Sequence, residues 1–149
     1  MERVFLVTGT FEATEAMEIQ QGYLAIDPPA EVRIRRVGDR RRLTIKSGSG
    51  MSRREENFDI PGDVFERLWP LTEGRRVLKR RSIVHAAGHE IEVDEFEGHL
   101  DGLVLAEIEF ADEDQARRFT PLPWMGLEVT EDTRYTNASL AVHGRPTDR

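Results

Sequence analysis

The chain has 149 residues, a formal net charge of −7 and no cysteine. This length is sufficient for one domain with a substantial core, and the absence of cysteine excludes disulfides, cysteine–zinc sites and a cysteine nucleophile. No apolar run is long enough to span a membrane and the first residues carry no signal-peptide pattern, so we expect a cytoplasmic protein without a membrane partner. Its acidity disfavours nucleic acid as a partner.

Alternation of apolar and polar residues predicts eight strands, most of them joined by tight connections. They cover residues 2–8, 17–26, 31–37, 41–47, 53–60, 74–84 and the two arms of a hairpin over 91–110, which is connected at 98–102. Short helices are predicted at 63–71 and at 112–119, with Asp112 as N-cap, and a final turn or short helix at 131–140. Two prolines predict that 120–129 is mostly loop.

The tight connections predict an antiparallel sheet. Eight antiparallel strands are expected to close into a barrel, since closure removes the unpaired edges of a sheet. The predicted fold is therefore mainly β (α+β), an eight-stranded antiparallel closed barrel with a few short covering helices. We expect one domain over residues 1–142 and a disordered tail over 143–149.

Charged residues recur at positions i and i+2 of several predicted strands, which places both side chains of a pair on one face. The pairs are Glu92 with Asp94, Glu107 with Glu109, Arg33 with Arg35, Lys79 with Arg81, and Arg53 with Glu55, and Lys46 shares a face with Thr44. Spacing alone leaves two interpretations open. The charged faces form the salt-bridged exterior of a sandwich, or they line a lumen in which Arg and Lys bind a polyphosphate and Glu and Asp bind its metal.

Short segments distributed over nearly the whole chain resemble the CYTH superfamily, the triphosphate tunnel metalloenzymes. They are QGYL at 21–24, VRIR at 32–35, LTIK at 43–46, KRR at 79–81, EVDEF at 92–96, LAEIE at 105–109, GLEVT at 126–130 and RYTN at 134–137. The resemblance implies a closed eight-stranded tunnel that binds a triphosphate together with a divalent metal. Family activities include inorganic, thiamine and RNA triphosphatase and class IV adenylate cyclase.

The resemblance also implies roles for individual residues. The implied phosphate-binding residues are Arg33, Arg35, Lys46, Arg53, Lys79 and Arg81. The implied acidic, metal-binding residues are Glu2, Glu55, Glu92, Asp94, Glu107 and Glu109, with Glu107 and Glu109 as the first choice. Tyr23, Lys46 and Arg81 are the implied catalytic residues, Mg²⁺ or Mn²⁺ the implied cofactor, and a triphosphate or another phosphorylated small molecule the implied ligand. A homodimer is left open.

Three positions depart from the family pattern. Val4 stands where the opening Glu-x-Glu-x-Lys motif has lysine, no residue stands at its first glutamate, and Asn57 replaces the second glutamate of Arg-x-Glu-x-Glu. Fewer carboxylates should weaken Mg²⁺ binding. We therefore expect metal-dependent hydrolysis of a triphosphate, with inorganic triphosphate favoured, and hold a catalytically weak phosphate- or polyphosphate-binding module as the alternative. Adenylate cyclase activity is a distant third.

Overall fold

A computed structural model describes residues 1–48 and 52–147 of the chain. The strands are β1 Glu2–Val7, β2 Glu15–Asp27, β3 Ala30–Val37, β4 Arg40–Ser47, β5 Arg54–Asp59, β6 Arg76–Ala86, β7 His89–Glu97, β8 Val104–Glu109 and β9 Met125–Glu128. The α-helices are α1 Gly62–Leu68, α2 Glu113–Arg118 and α3 Asn137–His143, and 3₁₀ turns cover Trp69–Thr72, Gly98–Leu100 and Thr133–Tyr135. Every strand pairing is antiparallel, as predicted.

The sheet is open, so the predicted closed eight-stranded barrel is wrong in both strand number and closure. The strand order within the described residues is β5-β4-β3-β2-β6-β7-β8-β1-β9, with β5 and β9 at the two edges. The ninth strand lies in the segment predicted as mostly loop, where Met125 and Glu128 pair with β1. Closure would require β5 to pair with β9, but β5 is exposed along its whole length and carries charges on both faces, a composition typical of strands that stay unpaired at an edge.

One face of the sheet is apolar and the other is charged. The apolar face packs against α2 through a core cluster of Phe5, Val84, Ile91, Val93, Ala106, Ile108, Phe110, Ala116, Phe119 and Met125. The helix begins as predicted, with the Asp112 carboxylate accepting a hydrogen bond from the Gln115 backbone N–H at 2.8 Å. This face therefore holds the sheet together and leaves the opposite face free for polar residues.

A second cluster closes part of the charged face beside α3. It contains Tyr23, Val77, Phe96, Leu100, Leu103, Leu105, Val129, Leu140 and Ala141. The helix is capped by the hydroxyl of Thr136, which accepts from the Ser139 backbone N–H at 3.2 Å. The packing of α3 across the strands turns the charged face into a cavity instead of an open surface.

The remaining helical segment lies near the start of β6. Helix α1 and the 3₁₀ turn after it cover the predicted helix at 63–71, and the α-helix ends before Pro70, which has no N–H to continue it. The rings of Phe65 and Trp69 stack with centroids 5.3 Å apart. Within the described residues, no helix has the length and apolarity of a membrane span. The predicted domain limits stay a prediction, and residues 148–149 lie outside the described ranges.

Candidate functional site

A cavity of about 1290 Å³ lies on the charged face of the sheet and is bordered by α3. Eight of the residues implied as site residues line it. They are Glu2, Tyr23, Arg33, Arg35, Lys46, Arg81, Glu92 and Glu107. They come from seven different strands, and they meet because alternation puts each of them on the same face of the sheet.

The basic side of the cavity is built on β3. Arg33 donates from Nη1 to a carboxylate oxygen of Glu31 at 3.1 Å, whereas its buried Nε has no hydrogen-bond partner within the described residues. Burial and the nearby guanidinium of Arg81 lower the pKa of Arg35. A buried donor without an acceptor and a guanidinium crowded by another cation are both unfavourable by themselves. A bound anion would relieve both, which makes this side suited to phosphate oxygens.

A buried ion-pair network lies beneath the cavity. Asp94 accepts two hydrogen bonds from Arg81, at 2.8 and 2.9 Å, and its second oxygen is 2.8 Å from the Lys79 ammonium. The Lys79 and Asp94 side chains are 0% and 1% exposed, and Lys79 also donates to the Asn137 side-chain oxygen at 3.2 Å. Lys79 and Asp94 therefore support the cavity from below and do not line it.

The protonation of this network follows from its contacts. Burial lowers the pKa of Lys79. Burial would raise the pKa of Asp94, but the Lys79 ammonium and the hydrogen bonds from Arg81 hold that pKa below its ordinary range. Burial also opposes the charge on Arg81, yet its bonds to Asp94 raise the pKa of that guanidinium. The carboxylate is thus ionised and orients Arg81, which reaches Glu92 at 3.3 Å with its third nitrogen.

The acidic side of the cavity brings together Glu2 of β1, Glu92 of β7 and Glu107 of β8. Glu92 and Glu107 are directly paired across their strands. Burial and a hydrogen bond with the Glu2 carboxyl raise the pKa of Glu107 to about 7. A neighbouring carboxylate opposes the ionisation of Glu107, and a cation bound at these carboxylates would remove the repulsion between their ionised forms.

The acidic residues fit a divalent ion that completes its shell with other oxygens. Within residues 1–48 and 52–147, no group of three or more His, Asp or Glu side chains is close enough to hold a metal alone. Mg²⁺ is commonly bound by one or two carboxylates together with water and substrate phosphates. Glu2 and Glu107 supply two such carboxylates, and the cationic side chains that could bind phosphate line the same cavity.

Besides Lys79 and Asp94, three implied site residues do not line the cavity. Glu109 points toward the chain terminus, where it accepts from the Met1 amino group at 2.7 Å and stays 73% exposed. Glu55 and Arg53 are exposed beside the β5 edge, and Glu55 accepts from the Asn57 amide at 3.2 Å. The structure therefore separates Glu107 from Glu109, which the sequence analysis ranked together as metal ligands.

Other residues contact the site although the sequence had not assigned them a role in it. Glu31 stands two positions before Arg33 on the same face, so its charge and spacing were a readable signal. Gln21 accepts from Arg35, and its place two residues before Tyr23 was a weaker signal of the same kind. Asn137 belongs to the RYTN segment of the family resemblance, but its contact with Lys79 forms only through the docking of α3. Val4 lines the cavity opposite Glu107.

Comparison with known proteins gives close relatives over almost the whole chain, although no family model matches it. The chain is 47% identical over 146 residues to an inorganic triphosphatase of Nitrosomonas europaea, covering 95% of this chain and 96% of the relative. It is 40% identical over 144 residues to an inorganic triphosphatase of Acetivibrio thermocellus, covering 94% and 91%. The crystal structure of the inorganic triphosphatase NE1496 matches with a TM-score of 0.82 and 44% identity, covering 95% of this chain and 97% of that one.

Proposed function

This chain belongs to the CYTH superfamily of triphosphate tunnel metalloenzymes, and on that basis we propose that it hydrolyses inorganic triphosphate with a divalent metal, Mg²⁺ or Mn²⁺. The observation that carries the proposal is the division of one cavity into a basic side, where Arg33 Nε has no partner among the described residues, and an acidic side lined by Glu2, Glu92 and Glu107. The inorganic triphosphatases to which the chain is similar support the choice of substrate.

Binding of the triphosphate would rest on four cationic side chains in the cavity: Arg33, Arg35, Lys46 and Arg81. Guanidinium groups bind phosphate oxygens with two parallel hydrogen bonds, and lysine contributes a point charge. Arg81 is held by its bonds to Asp94, so its orientation is set before the substrate arrives. Preorganised donors of this kind stabilise the charge that develops on phosphoryl oxygens during transfer.

The metal would be held by Glu2 and Glu107, with Glu92 next to them. When bound, a divalent ion polarises the terminal phosphoryl group and lowers the pKa of coordinated water. The Tyr23 hydroxyl accepts a hydrogen bond from Gln21 at 2.8 Å, so its own proton can be donated toward the bound phosphates. Tyr23, Lys46 and Arg81 are the side chains to which we assign the catalytic contacts.

The alternative function is a binding module that holds a phosphorylated ligand without turnover. Val4 favours it, because an aliphatic side chain lines the cavity opposite Glu107 where the family pattern places a lysine. If that lysine orients the attacking water, this chain retains binding and loses rate. Binding of triphosphate measured by calorimetry without phosphate release would favour the binding module.

The deciding experiment measures phosphate release from inorganic triphosphate with Mg²⁺ and with Mn²⁺. Glu107→Gln should lower kcat/KM by at least about 100-fold, because it removes a ligand of the metal. Glu109→Gln is the matched control on the same strand and should stay within about twofold, since an exposed surface substitution outside the cavity changes no substrate contact. Glutamine resembles the protonated form of Glu107, so folding should be preserved. Absence of release from the wild-type protein would overturn the hydrolase.

A further inference from the structure

Gln21 is a buried amide whose two ends both contact residues of the cavity. Its side chain is 0% exposed on β2. The amide oxygen accepts from Arg35 Nε at 2.7 Å, and the amide nitrogen donates to the Tyr23 hydroxyl at 2.8 Å. Both polar groups of this side chain are therefore satisfied by residues to which the proposed function assigns substrate contacts.

Strand register places the two contacts of Gln21 in a larger network. Gln21 lies opposite Arg35, and Tyr23 lies opposite Arg33 two residues further along the same pair of strands. Arg35 is thus linked through Gln21 to Tyr23, so a change at Gln21 removes both contacts.

The contact with Arg35 has a directional consequence. A guanidinium group has five N–H donors, and one of them, on Nε, is used by Gln21. Among the described residues, neither Nη atom of Arg35 donates to a protein acceptor. The Gln21 amide therefore holds the Arg35 guanidinium at Nε and leaves both Nη atoms for a ligand. This arrangement is suited to two parallel hydrogen bonds to phosphate.

We infer that Gln21 is a positioning residue for triphosphate binding: its amide is anchored on the Tyr23 hydroxyl and orients the Arg35 guanidinium toward the cavity. The inference rests on the proposed function for the identity of the ligand. Gln21 does not touch the substrate, so it acts only through the Arg35 guanidinium that it holds. Its removal should consequently weaken binding of the triphosphate in the ground state and the transition state alike.

Gln21→Met tests this with little change in side-chain volume. Methionine cannot accept from Arg35 or donate to Tyr23, so we expect KM for triphosphate to rise about tenfold, the effect of one lost charged hydrogen bond, with kcat within about twofold. Loss of an interaction that the ground state and the transition state share raises KM and leaves kcat unchanged. A general loss of folded protein would instead lower the apparent kcat. The same variants are titrated with triphosphate by calorimetry, and Kd should rise by the same factor.

Thr72→Val is the matched control. Thr72 is also 0% exposed, and its hydroxyl accepts from the Nε of another arginine, Arg76, at 2.9 Å. It lies outside the cavity lining. Both substitutions remove a buried partner of an arginine and should lower the melting temperature, but only Gln21→Met should raise KM and Kd. An equal rise in both variants would overturn the inference.

Combination with Arg35→Ala separates positioning from other effects. In that background Gln21→Met should raise KM by less than about twofold further, because the guanidinium that Gln21 orients is gone. A full tenfold rise in the double variant would overturn the inference. Gln21→Glu is the second variant if Gln21→Met does not fold. It keeps an oxygen for Arg35 Nε, so its KM should lie below that of Arg35→Ala. An equal KM in these two variants would overturn the inference.

The design distinguishes this inference from the proposed function. Wild-type protein that releases no phosphate would fail as a hydrolase, but Kd would still report the effect of Gln21 on binding. Wild-type protein that is active, with KM and Kd unchanged in Gln21→Met, would retain the hydrolase and overturn the role of Gln21.

Discussion

The central strands β6 and β7 and the edge strand β5 show how the same spacing of charges has different consequences in different parts of one sheet. Lys79 with Arg81 on β6, and Glu92 with Asp94 on β7, alternate in the same way as Arg53 with Glu55 at β5. In the centre, Lys79 and Asp94 are fully buried and joined at 2.8 Å. At the edge, every residue of β5 is exposed.

The difference arises from the neighbours of each strand. Strands β6 and β7 each pair on both sides, and α3 packs against β6, whereas β5 pairs with β4 alone within the described residues. A buried ion pair that loses one partner leaves an uncompensated charge in a poorly polarisable environment, whereas an exposed pair is hydrated and contributes little. Alternation therefore assigns a face to a side chain, and the position of the strand decides its energetic importance.

The largest expected effect comes from breaking the buried ion pair between Lys79 and Asp94. Asp94→Asn removes the carboxylate that Lys79 and Arg81 share, and we expect it to lower the free energy of unfolding by about 3–5 kcal/mol. The measurement is chemical denaturation followed by circular dichroism. Asp63→Asn is the exposed control, since Asp63 pairs with Arg67 at 3.5 Å with both side chains more than 70% exposed. A loss below about 1 kcal/mol for Asp94→Asn would contradict the comparison.

The next effect separates two residues to which the family resemblance assigns the same role. Lys46 lines the cavity and Arg53 does not, although both were predicted to bind phosphate. Lys46→Ala should raise KM for triphosphate about tenfold or more, because a cation that contacts the substrate is lost. Arg53→Ala should change KM less than about twofold.

Steady-state kinetics at fixed ionic strength compares these two variants, because salt screens exposed charges more than enclosed ones. A rise in KM for Arg53→Ala that equals the rise for Lys46→Ala would indicate that β5 folds over the cavity when triphosphate binds. The difference between the central strands and the edge strand would then depend on the ligand.

The smallest expected effect concerns the other edge of the sheet, where an ion pair ties β9 to β1. Arg3 donates to both oxygens of Glu128, at 2.9 and 2.7 Å, and these hydrogen bonds hold the pKa of Glu128 below its ordinary value of 4.5. A carboxylate whose pKa is lowered by folding stabilises the folded state at pH values above its ordinary pKa. This stabilisation is lost as the pH falls through the pKa that the group has in the folded state.

Glu128→Gln should therefore lower the melting temperature at pH 7 by no more than about 3 °C and have a smaller effect near pH 3. Thermal unfolding of wild type and variant at both pH values measures the difference. An equal difference at the two pH values would show that Glu128 stabilises β9 through packing instead of charge.

Much of the site could be predicted because alternation is a local property of a strand. Two residues at i and i+2 lie on one face whatever the rest of the chain does, so the shared face of Arg33 with Arg35 followed from sequence. That β7 and β8 are neighbours followed from the hairpin, but the register that pairs Glu92 with Glu107 came from the structure. Position along the strand did not follow: Glu109 is two residues from Glu107 but lies beyond the cavity, next to the amino terminus.

The amino-acid sequence by itself determined the antiparallel strands β1 to β8, the face to which each charged pair belongs, and the family resemblance, because these depend on local spacing and on short motifs. Only the tertiary structure decided the rest. Strand β9 pairs with β1 more than 110 residues away, the sheet stays open at β5, and Lys79 and Asp94 lie buried beneath the cavity. These outcomes depend on contacts between distant segments, and burial is a property of the assembled neighbours and not of the residue itself.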